Sequence, residues 1–393
     1  MTQTIRLGVV GLGRAFTLML PTFVADPRVA LVAAADPRAE ARSRFEADFN
    51  GTAYERIESL CDDRSIDAVY IASPHQLHAE HARIAAAAGR HVLVEKPMAL
   101  SIDECQSMID AAKRGRVHLI VGHSHSFDAP ILRTRELIAS GAFGKLRMLT
   151  ALNFTDFMYR PRRPEELSTR DGGGVVWSQA AHQIDVARLL AGGLARSVYA
   201  FAGAWDPTRP TEGAYSALIR FDEAFASLTY SGYAHFDSDE FCGGIGELGE
   251  RCDRVRYGAA RQSLASARSA VEEAALKASR GYGGSHDVAP SAGASTHHQH
   301  FGFVIASCER ADLRPLPDRV VIYGDVEMRE EALAPPAIPR REVIDELYDA
   351  VVKGIGPRHS GEWGLATVEA CQALLQSAAE RREISLLRQL ALA

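Results

Sequence analysis

The chain has almost no lysine: five lysines stand against thirty-nine arginines in 393 residues. Basic and acidic residues number 44 and 50, for a formal charge of −6. That balance argues against nucleic acid or a membrane surface as the main partner. With so strong a bias toward arginine, only local clustering of arginines carries information. Cysteine pairs are missing too. The six cysteines (Cys61, Cys105, Cys242, Cys252, Cys308, Cys371) form no C-x-x-C, so no zinc site is expected and reduced cytoplasmic thiols are. No apolar run approaches eighteen residues, and no membrane helix is expected. The opening MTQTIRLGVVGLG has no basic n-region and no cleavage site, and it reads as a strand rather than a signal peptide. No internal repeat is visible.

What is present is length, apolar content and alternation. A chain of 393 residues exceeds what one core normally fills, and 47% hydrophobic content suffices for two. Over residues 1–122, IRLGVVGLG, VALVAAADP, SIDAVYIASP, GRHVLVEKP and HLIVGHS read as five strands separated by helical stretches. LHAEHARIAAAAG closes on Gly89 as a C-cap. This alternation predicts an α/β fold, a Rossmann doubly wound parallel sheet.

From residue 123 to 393 the pattern changes to an α+β domain with an open, mostly antiparallel sheet. FDAPILRTRELIASGAFG is a helix with a glycine stop. KLRMLTALNFTDF, SVYAFAGAW, EGAYSALIRF and AFASLTYSGYA are strands. GGGVVWSQAAHQIDVARLLAG is a glycine hinge feeding an amphipathic helix. Residues 241–300 read as an insertion, with one charged helix, ARQSLASARSAVEEAALKASR, and a mobile loop over 280–300. The C-terminal helices are expected to pack back on the first domain.

The motif GLGRAF follows the first strand and opens a helix. Gly11 and Gly13 allow a tight turn and the approach of a pyrophosphate to the helix N-terminus, beside Arg14 and Ala15. Phe16 stands where the fingerprint usually has glycine or alanine. Asp36 ends the second strand, where a ribose-binding acid is expected, and favours NAD by repelling a 2′-phosphate. Arg38 nearby leaves NADP open.

GLGRAF, SPHQLHAEHARIAAAAGRHVLVEKP and GGGVVWSQAAHQID together resemble the Gfo/Idh/MocA oxidoreductase family along nearly the whole chain. The resemblance implies a nicotinamide-dependent dehydrogenase. Ser73, Pro74, His75 and His78 match its cofactor-side motif, followed by Glu95, Lys96 and Pro97. Lys96 and His182 match the family's two contacts to the reacting hydroxyl. The family usually has an aspartate four residues before that histidine, where this chain has Ser178; Asp185 matches a later acid. Ser178, His182 and Asp185 are spaced to share one helix face, and Asp185 is suited to orient His182. The spacing does not rank Lys96 against His182 as base.

YRPRRPEELSTRDGGG sets four arginines before the glycines. Arginine binds carboxylates in bidentate, charge-assisted fashion. Within the family, this segment, SQAAHQID and SCERADLRP resemble the branch acting on phthalate cis-4,5-dihydrodiol, an aromatic dihydrodiol dicarboxylate. Arg160, Arg162 and Arg170 are the expected carboxylate ligands, and a serine at position 178 avoids repelling the substrate. The expected reaction is NAD(P)-dependent oxidation to 4,5-dihydroxyphthalate, in phthalate degradation. The alternatives are a sugar or inositol dehydrogenase of the same family and a non-catalytic nicotinamide-binding sensor.

Other histidines rank lower. His297, His298 and His300 find no acid or cysteine nearby in sequence, and no metal is expected. His81 should face solvent. His123 and His125 should end the fifth strand, and either is placed to line the cleft. HFDSDEF (235–241), acidic and poorly suited to an anionic substrate, reads as structural or as part of a subunit contact. A homo-oligomer, dimer or tetramer, is expected from the open sheet face.

Overall fold

In the computed structural model, the described residues are all except 1–2, 254, 256, 286–295 and 393. The loop expected over 280–300 therefore falls partly outside them. Two compact units are present: one gathers 1–123, 274–294 and 338–368, the other 124–273, 295–337 and 369–393.

The first unit begins β1 (Ile5–Val10), α1 (Arg14–Ala25), β2 (Val29–Ala35), α2 (Ala39–Phe49), β3 (Thr52–Tyr54) and α3 (Ile57–Asp62). It continues β4 (Ala68–Ile71), α4 (His78–Ala87), β5 (His91–Val94), α5 (Ile102–Gly115) and β6 (Leu119–Val121). The sheet order is β3-β2-β1-β4-β5-β6, all parallel. Its central strands are apolar on both faces because helices cover both. The three-residue edge strand β3 adds a sixth strand to the five expected; it is too short and exposed to show periodicity. α5 shows why a helix starts where it does. Ser101 accepts from the Glu104 N–H at 3.2 Å, and the Glu104 carboxylate accepts from the Leu100 N–H.

The second unit's elements are α6 (Ala129–Ala139), β7 (Leu146–Phe154), α7 (Ala181–Ala191), β8 (Ala195–Gly203), β9 (Ala214–Phe221) and β10 (Phe225–Ser231). Then come α8 (Ala259–Ala265), α9 (Ala270–Ala278), β11 (Phe303–Cys308), β12 (Ala311–Leu316), β13 (Arg319–Gly324) and β14 (Met328–Ala332). The chain closes with α10 (Arg341–Lys353), α11 (Gly361–Glu380) and β15 (Ile384–Ser385). The nine-stranded sheet runs β14-β13-β12-β11-β7-β10-β9-β8-β15. It is antiparallel except for β7 and β10, which pair in parallel. The single charged helix expected over 260–280 is two helices, α8 and α9. Between them the Arg268 N–H donates to the Glu272 carboxylate at 2.7 Å and Ser269 Oγ accepts from the Glu272 N–H, so the chain restarts a helix there.

α7 is not amphipathic. Every residue from Ala181 to Leu190 is buried, including His182, Asp185 and Arg188. Nor do the glycines before it form an open hinge. A Cβ on Gly173 would strike the Glu166 backbone, and one on Gly174 would strike the Glu212 carboxylate. They make a packed corner, held where Glu212 accepts from the Val176 N–H at 3.1 Å and from Thr169 Oγ1.

Candidate active site

In the first unit the chemistry gathers at the C-terminal ends of β1, β4 and β5, where parallel sheets place their ligands. Gly11 has φ +91°, and a Cβ there would lie 2.8 Å from the Ala72 carbonyl and the Ser73 nitrogen, so only glycine fits. Gly13 caps α1, and a Cβ there would meet nothing within 4 Å, leaving space for a close approach. Arg14 and Ala15 form the first turn of α1, with Arg14 exposed. The Phe16 side chain is fully buried and meets the Tyr282 ring at 5.2 Å. Phe16 replaces the small third residue of the fingerprint because it serves the core. The Asp36 carboxylate, 5% exposed, accepts from the Leu12 N–H at 2.8 Å and from the Arg38 N–H and guanidinium at 2.9–3.1 Å.

His78 joins this turn to the lysine motif. Its ring nitrogens lie 2.9 Å from the Pro97 and Ser73 carbonyls, and burial pushes its pKa down to about 4. A neutral imidazole has one N–H, which serves one carbonyl at a time. Pro74 precedes the short turn His75–Leu77, whose His75 packs on His78. His81, expected in solvent, is half-buried and bonds Ser73 Oγ at 3.0 Å; its helix turns it toward the Ser73 loop. Glu95 accepts from Tyr70 Oη at 2.6 Å, and burial raises its pKa. Lys96 is half-buried just past β5.

In the second unit, His182 stands at the first turn of α7, 5% exposed. Ser178 is half-buried in a π-helical turn, Val176–Ala180, so the i, i+4 alignment with His182 expected of an α-helix does not hold. Asp185 is buried. It accepts from Ser126 Oγ and lies 3.9 Å from the Arg188 guanidinium.

His125, one of the two histidines expected to line the cleft, is the group that meets His182, and the partners gathered around it were not anticipated. The His125 ring lies 4.7 Å from the His182 ring, and Phe301 packs on both at 4.8–4.9 Å. His125 Nδ1 is 2.7 Å from Asp128 and its Nε2 is 3.4 Å from Glu247. Burial disfavours its charge, but the two carboxylates outweigh burial and raise its pKa to about 9. Burial likewise opposes the Glu247 anion, yet His125 and Arg160 hold it down at about 2. HSHSFD carried a signal in its own H-x-x-D spacing; Glu247, 122 residues away, carried none. His300, for which sequence offered no cysteine or acid, has Cys242 Sγ at 3.4 Å and Asp239 at 3.7 Å. Its Nε2 meets the Ile245 carbonyl, a structural role.

His125 makes the stability of the fold pH-dependent. Its folded pKa is above the unfolded value of 6.5, so its stabilisation is complete below that pH and is lost as pH rises through about 9. A His125→Gln protein lacks this dependence. The wild-type advantage in unfolding free energy, measured in urea, should shrink by on the order of 3 kcal/mol between pH 6 and pH 10.

The arginines separate clearly. Arg170 is exposed. Arg163 pairs with Glu165 and Glu166. Arg160 donates to Asp156 at 3.0 Å. Arg162 has a side chain 12% exposed, stacked 3.6 Å over the Phe157 ring, with Glu166 3.9 Å away. Burial pushes its pKa down to about 10. The row of rings Phe157, Tyr230, Phe301 connects it to His182. Arg209, not anticipated, is buried and donates to Glu273 at 2.7 Å.

With this geometry in place, the comparisons decide the family. The description "Oxidoreductase family, NAD-binding Rossmann fold" matches residues 5–123, and "GFO/IDH/MocA C-terminal domain" matches 131–250. The 1-carboxy-3-chloro-3,4-dihydroxycyclohexa-1,5-diene dehydrogenase of Comamonas testosteroni is 49% identical, over 94% of each chain. The chain belongs to the Gfo/Idh/MocA family. It is an oxidoreductase whose first unit is the family's NAD-binding Rossmann fold. A solved Bordetella bronchiseptica protein described as a dehydrogenase is 40% identical, with TM-score 0.90 over 98% of this chain and 100% of that one. A levoglucosan dehydrogenase solved with NADH and levoglucosan shares the fold at 19% identity, TM-score 0.72, over 98% and 100% of the chains. The first unit's residues fit NAD: Gly11 and Gly13 clear the approach, and the Asp36 carboxylate suits a ribose diol. Among the described residues, no helix is long and apolar enough to cross a membrane.

Proposed function

We propose that this dehydrogenase oxidises a carboxylated cis-dihydrodiol to the corresponding catechol, with phthalate cis-4,5-dihydrodiol as the specific candidate. The observation that carries the reading is Arg162, a nearly buried guanidinium whose nearest carboxylate is 3.9 Å off, on the row of rings that ends at His182. The guanidinium is only loosely paired, with Glu166 at 3.9 Å and a bond to the Phe157 carbonyl at 2.9 Å, and a substrate carboxylate adds a stronger, charge-assisted partner. The Comamonas relative's name also describes a carboxylated dihydroxycyclohexadiene.

Bound NAD supplies the hydride acceptor. Lys96 and His182 are proposed to contact the reacting hydroxyl, and one of them takes its proton while the ring carbon gives up hydride. The enone so formed tautomerises to a catechol, and aromatisation drives the reaction. Arg160 and Arg162 are proposed to hold carboxylate. The exposed apolar residues of one sheet face, Tyr199, Phe201, Leu218 and Phe225, support a homo-oligomer.

The test is NADH absorbance with purified protein, NAD and three substrates: the phthalate dihydrodiol, the same diol without carboxylates, and myo-inositol. Turnover confined to the carboxylated diol is expected. Equal turnover of the uncarboxylated diol or of inositol would sink the carboxylate reading.

A further inference from the structure

The segment just after α9 is the least expected part of the first unit. Sequence patterning assigns SRGYGG to the edge of an insertion in the second domain, yet 274–294 belongs to the first unit. Tyr282 is its anchor. The side chain is 2% exposed, its ring meets Phe16 at 5.2 Å and Phe49 at 6.4 Å, and its hydroxyl donates to Asp48 at 2.7 Å. Glycines flank the anchor on both sides. A Cβ on Gly281 would lie 3.7 Å from Gly13 Cα and 3.7 Å from Arg38 Nη1. One on Gly283 would lie 3.4 Å from Ala41 Cα. The backbone therefore runs against the glycine turn and the start of α2, beside the Asp36–Arg38 pair.

Core packing accounts for the tyrosine but not for what its neighbours approach. Gly281 faces Gly13, the position whose open side admits a phosphate, and Arg38, which is bonded to the ribose-binding acid. Phe16 fits the same account: by departing from the small fingerprint residue it gives Tyr282 an aromatic partner inside the dinucleotide motif itself. We infer that Arg280–Gly284 forms an additional wall of the dinucleotide site on its adenosine side, anchored by Tyr282 on Phe16, Phe49 and Asp48. The wall restricts exchange of the nucleotide and keeps water from the Asp36–Arg38 pair. It rests on NAD binding by this fold and not on which diol is oxidised.

The test measures binding, not turnover. NADH fluorescence titrations are run on Tyr282→Ala, Tyr282→Phe and Gly281→Leu. Tyr282→Ala removes the anchor. Gly281→Leu keeps the anchor and pushes a side chain toward Gly13, at a position whose backbone accepts L residues. Both should raise the NADH Kd about tenfold or more, a loss of about 1.4 kcal/mol. Tyr282→Phe keeps the rings and loses the hydroxyl that donates to Asp48, so its Kd should rise by less than about threefold. Circular dichroism of each apoprotein establishes folding. If Tyr282→Ala does not fold, Gly281→Leu decides alone. A Kd within about twofold of wild type in the folded variants would overturn the inference.

Discussion

A His182→Phe enzyme is expected to turn over about 10²–10⁴ times more slowly than wild type, with its NADH Kd unchanged. Phenylalanine preserves the ring that packs against His125 and Phe301, so the fold loses little. What disappears is a nitrogen able to accept or donate a proton, and losing general acid–base catalysis costs about that range. Lys96→Met should give a loss of similar size, because it removes the other proposed contact to the hydroxyl. The double variant is the sharper measurement. Groups that act as one unit give losses that do not add, so the pair should fall little below the worse single variant. A His182→Phe enzyme with kcat within about threefold of wild type would remove His182 from the chemistry and leave Lys96 as the proposed base.

Arg162→Met is expected to raise KM for a carboxylated diol about 10–100-fold and to leave the uncarboxylated diol within about threefold. A charge-assisted hydrogen bond contributes about 1.5–3 kcal/mol, and methionine retains most of the packing over Phe157. Arg170→Met serves as the control. Its guanidinium is exposed, and its KM should move less than about twofold. Equal shifts for both diols would mean that Arg162 supports the Phe157 segment rather than binding carboxylate. A large effect at Arg170 with none at Arg162 would restore the exposed arginine as the ligand.

Much of the molecule was legible because its signals are local. The βα alternation, the turn around Gly11 and Gly13, and Asp36 at the end of β2 follow from chain geometry over a few residues. Lys96 and His182 were named for another reason: they sit in motifs resembling a family, and the comparisons place the chain in that family while the residues' role is the proposal. Errors arose where packing decides rather than residue type or spacing. A charge pattern cannot say which arginine is buried, because Arg162 is covered by Phe157 and Arg170 by nothing comparable. Nor did helical periodicity reveal that α7 is buried on every side, or that a π-turn displaces Ser178 from the face of His182.

The sequence by itself determined the fold class and the glycine turn of the NAD-binding unit, because each depends on spacing within short segments; Lys96 and His182 came from resemblance to a family and are proposed in their role. Only the tertiary structure decided which groups surround them. Glu247 reaches His125 across 122 residues, Tyr282 reaches Phe16 from beyond the second sheet's first strands, and Phe301 joins two histidines from a third segment. Burial is the physical reason. A buried imidazole with carboxylates on both nitrogens can keep its charge, as His125 does; without them burial would favour the neutral form. No local pattern records that long-range fact.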